Sequence, residues 1–409
     1  MRLARAALLA ALPMALPMVL LVAAATVHAQ PNDASDVASP LRLGVVAYRS
    51  GDLVTAEAAF RRLAATNADA EAWLGAVLLD RGRMPEAMQA LQRAADSGSA
   101  EGAHRLALVH AEGTGGTPRN DAKALELFEK AAAAGHRRAQ INVGTLYYRG
   151  QGTQRDLILA RAWLEKAAAQ DDPYALYALA RAMDDSLGQA MADPVRAADL
   201  YRRAAQRGHP FAALRYGLAL NDGVGVRKDP VLAQQWLIHA EKNGVPEAAM
   251  AMGDILARTP ASRDKSLNER AVRAAISWYE LAAQGGVASA QFKLANAYFA
   301  GAGVARDPQQ AQQWYARAAN QGQPEAEHAF GIFLLGGLAG PPDPVEGYKW
   351  LLLSERAGHA DSRSVREKAA EKVSANDRRR AEALAARFVP QPERPVSEGP
   401  PRLGPPTKF

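Results

Sequence analysis

Two marker residues recur along this 409-residue chain at the same spacing, and their shared rhythm limits the fold more than any other feature. The first is a small residue inside an apolar stretch: Gly75, Ala107, Gly144, Ala180, Gly217, Gly253, Ala295 and Gly331. From Ala107 onward the intervals are 37, 36, 37, 36, 42 and 36. The second closes an Ala-rich stretch: Gly98, Gly135, Asp171, Gly208, Gly244, Gly286, Gly322 and Gly358, at intervals of 37, 36, 37, 36, 42, 36 and 36. Both series carry the same six-residue insertion. A period of this length marks one supersecondary unit repeated along a row.

Each unit reads as two helices. Helix A carries the small residue, where a missing side chain lets a neighbouring helix approach. A loop follows, often Gly-x-Gly, as at Gly150/Gly152, Gly223/Gly225 and Gly301/Gly303. Helix B starts at Asn120, Asp156, Asp193, Asp229, Asp307 or Asp343, whose short side chains can accept the free N–H groups of a first turn. Pro194, Pro230, Pro308 and Pro344 stand next, where a missing N–H costs nothing. Seven residues past the cap comes a large apolar residue: Leu127, Trp163, Leu200, Trp236, Trp314 or Trp350, with Trp278 in the same phase of the remaining unit. Glycine at the close allows the left-handed turn that ends a helix.

A single hairpin of this size cannot cover its own apolar face, so neighbours must stack. The expected fold is all-α, a right-handed α-α superhelix of about nine stacked hairpins with a C-terminal capping helix. The expected structural core is Trp163, Trp236, Trp278, Trp314 and Trp350, each facing the adjacent unit, together with Gly144, Gly217 and Gly331. A fully buried Trp314 would cost about 3–5 kcal/mol on truncation to Ala.

Segments such as LANAYFAGAGVARDPQQAQQWYARAANQG (294–322) and VGTLYYRGQGTQRDLILARAWLEKAAAQ (143–170) resemble Sel-1-like repeats, relatives of the tetratricopeptide repeat. The resemblance covers residues 101–360. Residues 41–100 form shorter units that look like tetratricopeptide hairpins. The unit at 250–290 departs from the pattern: ARTPASRDKSLNER (257–270) replaces the Gly-x-Gly loop, and the capping Asp leaves its usual phase.

The ends differ from the row. Arg2 and Arg5 precede an uncharged apolar run at 6–25, and Val27-His28-Ala29 ends in small residues suited to cleavage. Residues 1–29 therefore read as a signal peptide cut after Ala29, with localisation in the periplasm or outside the cell. An uncleaved anchor is the competing reading, because about twenty apolar residues can span a bilayer. Residues 30–39 form a polar linker, 364–388 a capping helix, and 390–409 a Pro-rich tail expected to be disordered.

Several kinds of chemistry are excluded. No cysteine is present, so there is no disulfide, thiolate metal site or cysteine nucleophile. Loss of the signal lowers the net charge from +6 to +4, and basic residues alternate with acids rather than forming the stripe of a nucleic-acid binder. The Gly-x-Gly loops lack the G-x-x-x-x-G-K-[ST] of a phosphate cradle. His136, His209 and His359 follow the closing residue with no second ligand at i+3 or i+4, which makes them structural. No catalytic, cofactor or metal residues are expected.

Stacked hairpins curve, and their A helices line an inner face suited to a peptide or partner helix. Variable helix A positions then become the candidate contacts: Thr145, Tyr148, Arg181, Asn221, Asn296 and Phe299. The inserted segment 257–270 is a second candidate contact site. The resemblance implies an adaptor, since exported bacterial Sel-1-like proteins are linked to envelope assembly, polysaccharide export and host interaction. It yields a non-enzymatic exported scaffold for protein partners, without nucleic acid, and touching a membrane only if the signal is retained. One alternative is a hydrolase of β-lactam or cell-wall substrates, as in cysteine-rich family members whose paired cysteines are missing here. The other is a membrane-tethered assembly factor for polysaccharide export.

Overall fold

The computed structural model describes residues 39–114, 116–184, 192–259 and 262–393. The signal peptide, nearly all of the linker and tail residues 394–409 lie outside the described residues. All regular structure among the described residues is helical, in twenty helices. Eighteen of them form nine consecutive hairpins. These are α1 (Pro40–Arg49) with α2 (Leu53–Leu63), α3 (Ala68–Asp80) with α4 (Met84–Asp96), and α5 (Ala100–Glu112) with α6 (Asp121–Ala133). Next come α7 (Arg137–Arg149) with α8 (Leu157–Ala168), α9 (Pro173–Asp184) with α10 (Pro194–Gln206), and α11 (Pro210–Asp222) with α12 (Pro230–Lys242). The row continues with α13 (Pro246–Ala257) and α14 (Lys265–Gln284), α15 (Ala288–Ala300) and α16 (Pro308–Asn320), and α17 (Pro324–Gly336) and α18 (Pro344–Arg356). The described residues divide into two compact units: residues 39–212 with 224–226, and residues 213–223 with 227–393.

Helix starts follow the local chemistry. Asn120, Asp193, Asp229, Asp307 and Asp343 each accept the backbone N–H three residues on, at 2.9–3.0 Å. Asp156 accepts two, from Ile158 and Leu159. We expect Asp307→Ala to cost about 1 kcal/mol in chemical denaturation, and a neutral result would mean that water serves the first turn equally well. At the other end, all eight closing residues are left-handed. Asp171 (φ 59°) is the one non-glycine among the described residues in that region, held by ion pairs to Arg203 and Arg207.

The hairpin contact is made one residue beyond the tryptophan column. A Cβ at Gly144 would lie 2.6 Å from Leu164, at Gly217 2.9 Å from Leu237, and at Gly331 2.8 Å from Leu351. Those leucines are at most 1% exposed, and the facing carbonyls of Ala160, Ala233 and Gly347 lie about as close. The three glycines are flat seats for a leucine of the same hairpin. The tryptophans do not form a uniform core. Trp278 and Trp350 are buried, whereas Trp163, Trp236 and Trp314 are only partly buried. An α-helix advances 100° per residue, so a leucine aimed at its own hairpin partner turns the preceding tryptophan toward the helix flank. There Lys166 covers Trp163 at 4.3 Å and Arg317 covers Trp314 at 4.5 Å. Trp314→Ala should accordingly cost about 2 kcal/mol, below the range for a full core aromatic. Denaturant titration beside Leu237→Ala checks this, and an equal loss at both positions would contradict it.

The Gly-x-Gly loops are close-approach points between hairpins. A Cβ at Gly152 would collide with the Asp121 carbonyl, and one at Gly225 with the Pro194 carbonyl. These two loops thus rest on the first turn of the preceding B helix, whereas Gly303 faces Val272 and Ile276 farther along α14. In the departing unit the six extra residues become helix: α14 has 20 residues where most B helices have 13, and Asp264 caps it through the Ser266 N–H at 2.8 Å.

The C-terminus departs from expectation twice. The predicted single capping helix is a pair, α19 (Ser362–Ala370) and α20 (Ala375–Arg387). Ser374 accepts the Asp377 N–H at 3.1 Å and donates its hydroxyl to the Asp377 carboxylate at 2.8 Å, starting a new helix, while Val373 is buried near Tyr348 and Ala381. The tail is not wholly free either. Phe388 stands edge-on to Trp350 at 5.1 Å, and residues 390–393 lie along the end of α16. Proline has no N–H to satisfy and is already extended, which suits it to lie against a helix end.

Candidate interaction surface

In the N-terminal unit two pairs of successive A helices, α3 with α5 and α7 with α9, approach more closely than any successive B helices there. Asn142 of α7 lies 3.5 Å from His104 of α5. The A side of that unit is therefore the tighter side of the row.

The six candidate contact residues occupy two equivalent phases of helix A. Thr145, Arg181 and Asn296 follow the small residue directly, and Tyr148, Asn221 and Phe299 lie four positions past it. Most are tied into their own hairpins. The Thr145 hydroxyl donates to the Ile141 carbonyl at 2.8 Å. Tyr148 lies under the Arg155 guanidinium at 5.3 Å, and that arginine also donates to the Tyr148 carbonyl at 3.0 Å. Phe299 repeats this arrangement with Arg306 and packs edge-on to Phe333 at 5.4 Å. The Asn221 amide donates to Asp222 at 2.8 Å, and the Asn296 side chain accepts the Tyr315 hydroxyl at 2.6 Å. Arg181 is half-buried. Asn296 alone of the six is well exposed.

One side-chain cluster invites a metal reading. Glu101, His104 and His136 each bring a ligand atom to within 4.8 Å of the others. Burial opposes the charge on Glu101, but the His136 hydrogen bond and the Arg105 charge hold its carboxyl down at about 2. Burial pulls His104 down to about 3, so its ring is neutral. The protonation pattern argues against an ion. His136 Nδ1 accepts the Ala139 N–H at 3.2 Å as a helix cap, so the ring proton sits on Nε2 and points at Glu101, 3.0 Å away. Moving that proton aside for a metal would force it onto Nδ1, head to head with the backbone donor. The cluster fits a helix cap better than a metal centre.

The rings also repeat. His104 stacks on His136 at 4.3 Å, Tyr177 on His209 at 4.2 Å and His328 on His359 at 4.3 Å. His209 Nδ1 likewise accepts the Ala212 N–H at 3.2 Å. The sequence singles out His136, His209 and His359, of which the first two cap helices, but not their ring partners. The available signal was an aromatic or His ring 31 or 32 positions before each.

The Sel1 repeat family model matches residues 100–136, 137–172, 173–209, 210–245, 269–287, 288–323 and 324–359. The chain is 29% identical over 243 residues to chitin synthase regulatory factor 3 of Schizosaccharomyces pombe, covering 58% of this chain and 25% of that protein. It is 30% identical over 237 residues to a chitin synthase regulator of Saccharomyces cerevisiae, covering 55% of this chain and 33% of that protein. It thus spans a quarter to a third of the length of these curated relatives. Among solved structures, a Sel1 repeat protein from Oxalobacter formigenes superposes with a TM-score of 0.61 at 25% identity, covering 88% of this chain and 98% of that one. Seven matched segments, with the hairpin register seen in the structure, place the chain in the Sel1 repeat family.

Proposed function

We propose that this protein is an exported, non-enzymatic scaffold that holds protein partners in the bacterial envelope. The observation that carries the reading is the row of Sel1 hairpins in which α3 lies close to α5 and α7 close to α9, an arrangement that suits an extended peptide or a single partner helix. Arg2, Arg5, the apolar run at 6–25 and the small residues before position 30 support export. A partner from polysaccharide synthesis or export is the more specific form of this proposal, since both curated relatives bear names as chitin synthase regulators. Photo-crosslinking in the native cell from Tyr148 and Phe299, with N-terminal sequencing of the envelope form, tests it. The expected outcome is a discrete crosslinked protein from the helix A positions and a mature chain starting at Gln30. Crosslinks confined to helix B positions would overturn the inner-face reading. Turnover of cell-wall or β-lactam substrates by the purified chain would overturn the non-enzymatic one.

A further inference from the structure

The end of α16 makes a set of polar contacts with the C-terminal tail that no other hairpin reproduces among the described residues. The Glu393 carboxylate is held by both the Nε and a terminal nitrogen of Arg317, at 2.9 and 2.6 Å, and by the Gln291 amide at 3.0 Å. Gln291 is fully buried, and its orientation is set from both sides. Its nitrogen also donates to the Ala283 carbonyl at 3.1 Å, and its oxygen accepts the Gln321 amide at 2.8 Å. The main chain is bound as well. The Gln391 N–H donates to the Asn320 carbonyl at 2.8 Å, and the Glu393 N–H to the Gln321 side chain at 3.3 Å. Pro390 lies against Gly322, where a Cβ would come within 2.9 Å of its ring.

A paired Arg–carboxylate contact, a buried amide, two bonds to the peptide main chain and a seat for proline together read an extended acidic segment. Other hairpins lack the set. The nearest equivalent, Gln140 with Lys166 and Gln170, has Asp171 in place of Gly322. There a side chain would meet the proline, and a second carboxylate would repel the first.

We propose that this surface is a docking site for a partner peptide of the type Pro-x-Pro-Glu, and that residues 390–393 occupy it in cis as an intramolecular competitor. The site lies at the closing end of α16, with Gln291 of α15 beneath it, and uses none of the six helix A candidates above. Tethering gives the tail an effective concentration in the millimolar range, so a partner displaces it only at comparable local concentration or when anchored elsewhere too. The test uses the full chain. Glu393→Lys sets a cation beside Arg317 and expels the tail, and a fluorescent VPQPERPV peptide (389–396) reports the freed site by anisotropy. Binding should be about ten-fold tighter to E393K than to the wild type, and about ten-fold weaker again when the peptide carries Gln for Glu or the chain also carries Arg317→Ala. Should the double variant melt early, Arg317→Lys keeps the charge and should still lose several-fold through the missing paired contact. Equal binding to wild type and E393K, or indifference to Arg317 and to the peptide carboxylate, would overturn the proposal. A wild-type dimer that E393K dissolves would also overturn the cis form, because the tail would then be docking between copies.

Discussion

Leu164→Ala should lower the stability of the N-terminal unit by about 3–4 kcal/mol, and adding Gly144→Ala should restore part of it. Leu164 is 1% exposed and stands directly over Gly144, where a Cβ would come within 2.6 Å of its branching carbon. Removing the leucine empties a site whose walls are helix backbones, and these cannot collapse freely. Gly144→Ala alone should also destabilise, by about 1–3 kcal/mol, because the new methyl has no room. In the double variant the methyl enters the space the leucine vacates. The two effects should therefore fail to add, with a coupling of about 1–2 kcal/mol in a denaturant double-mutant cycle. Strict additivity would show that the seat and the leucine do not meet.

This pair also shows what the sequence could and could not convey. The glycine column was legible, because a small residue at a fixed phase in an apolar helix has few other purposes. The tryptophans stand out as the largest residues of helix B, but their phase does not say which side chain of helix B meets the glycine. The true partner, one position on, is Leu164, Leu237 or Leu351 in some units and Tyr279 or Phe60 in others, a set of mixed size that only the packing reveals. The caps were legible for a local reason, since Asp or Asn followed by a helix needs only three residues to make its bond. The cis docking of Glu393 was not legible. It joins residues 76 and 102 positions apart through an arginine and a glutamine that look like ordinary surface choices in one dimension. The candidate contact residues share this difficulty, because exposure at a variable position does not disclose what side chains such as Arg155 and Arg306 do above it.

Glu327→Gln should stabilise the C-terminal unit at pH 8 and change it little at pH 4. Glu327 is 3% exposed, and one carboxylate oxygen has no hydrogen-bond partner among the described residues. Burial pushes its carboxyl up to about 7 from an ordinary 4.5. The sign follows from which state releases the proton first. Below about pH 4.5 the group is neutral in both the folded and unfolded chain and has no effect. Between 4.5 and 7 the unfolded chain ionises while the folded one keeps its proton, so stability falls as pH rises. Above 7 the full penalty stands, at about 3 kcal/mol for a shift of this size. Glutamine is the natural replacement, since Gln140 and Gln291 fill the same register and donate to the carbonyls of Ala132 and Ala283 at 3.2 and 3.1 Å. A protonated Glu327 can make the same donation to the closing turn before it, and an ionised one cannot. Urea unfolding of both chains at pH 4, 6 and 8 isolates the group, because every other titration cancels in the difference. A gap of about 3 kcal/mol at pH 8 that closes by pH 4 is the expected outcome, whereas a gap constant with pH would mean that Glu327 ionises freely in the folded chain.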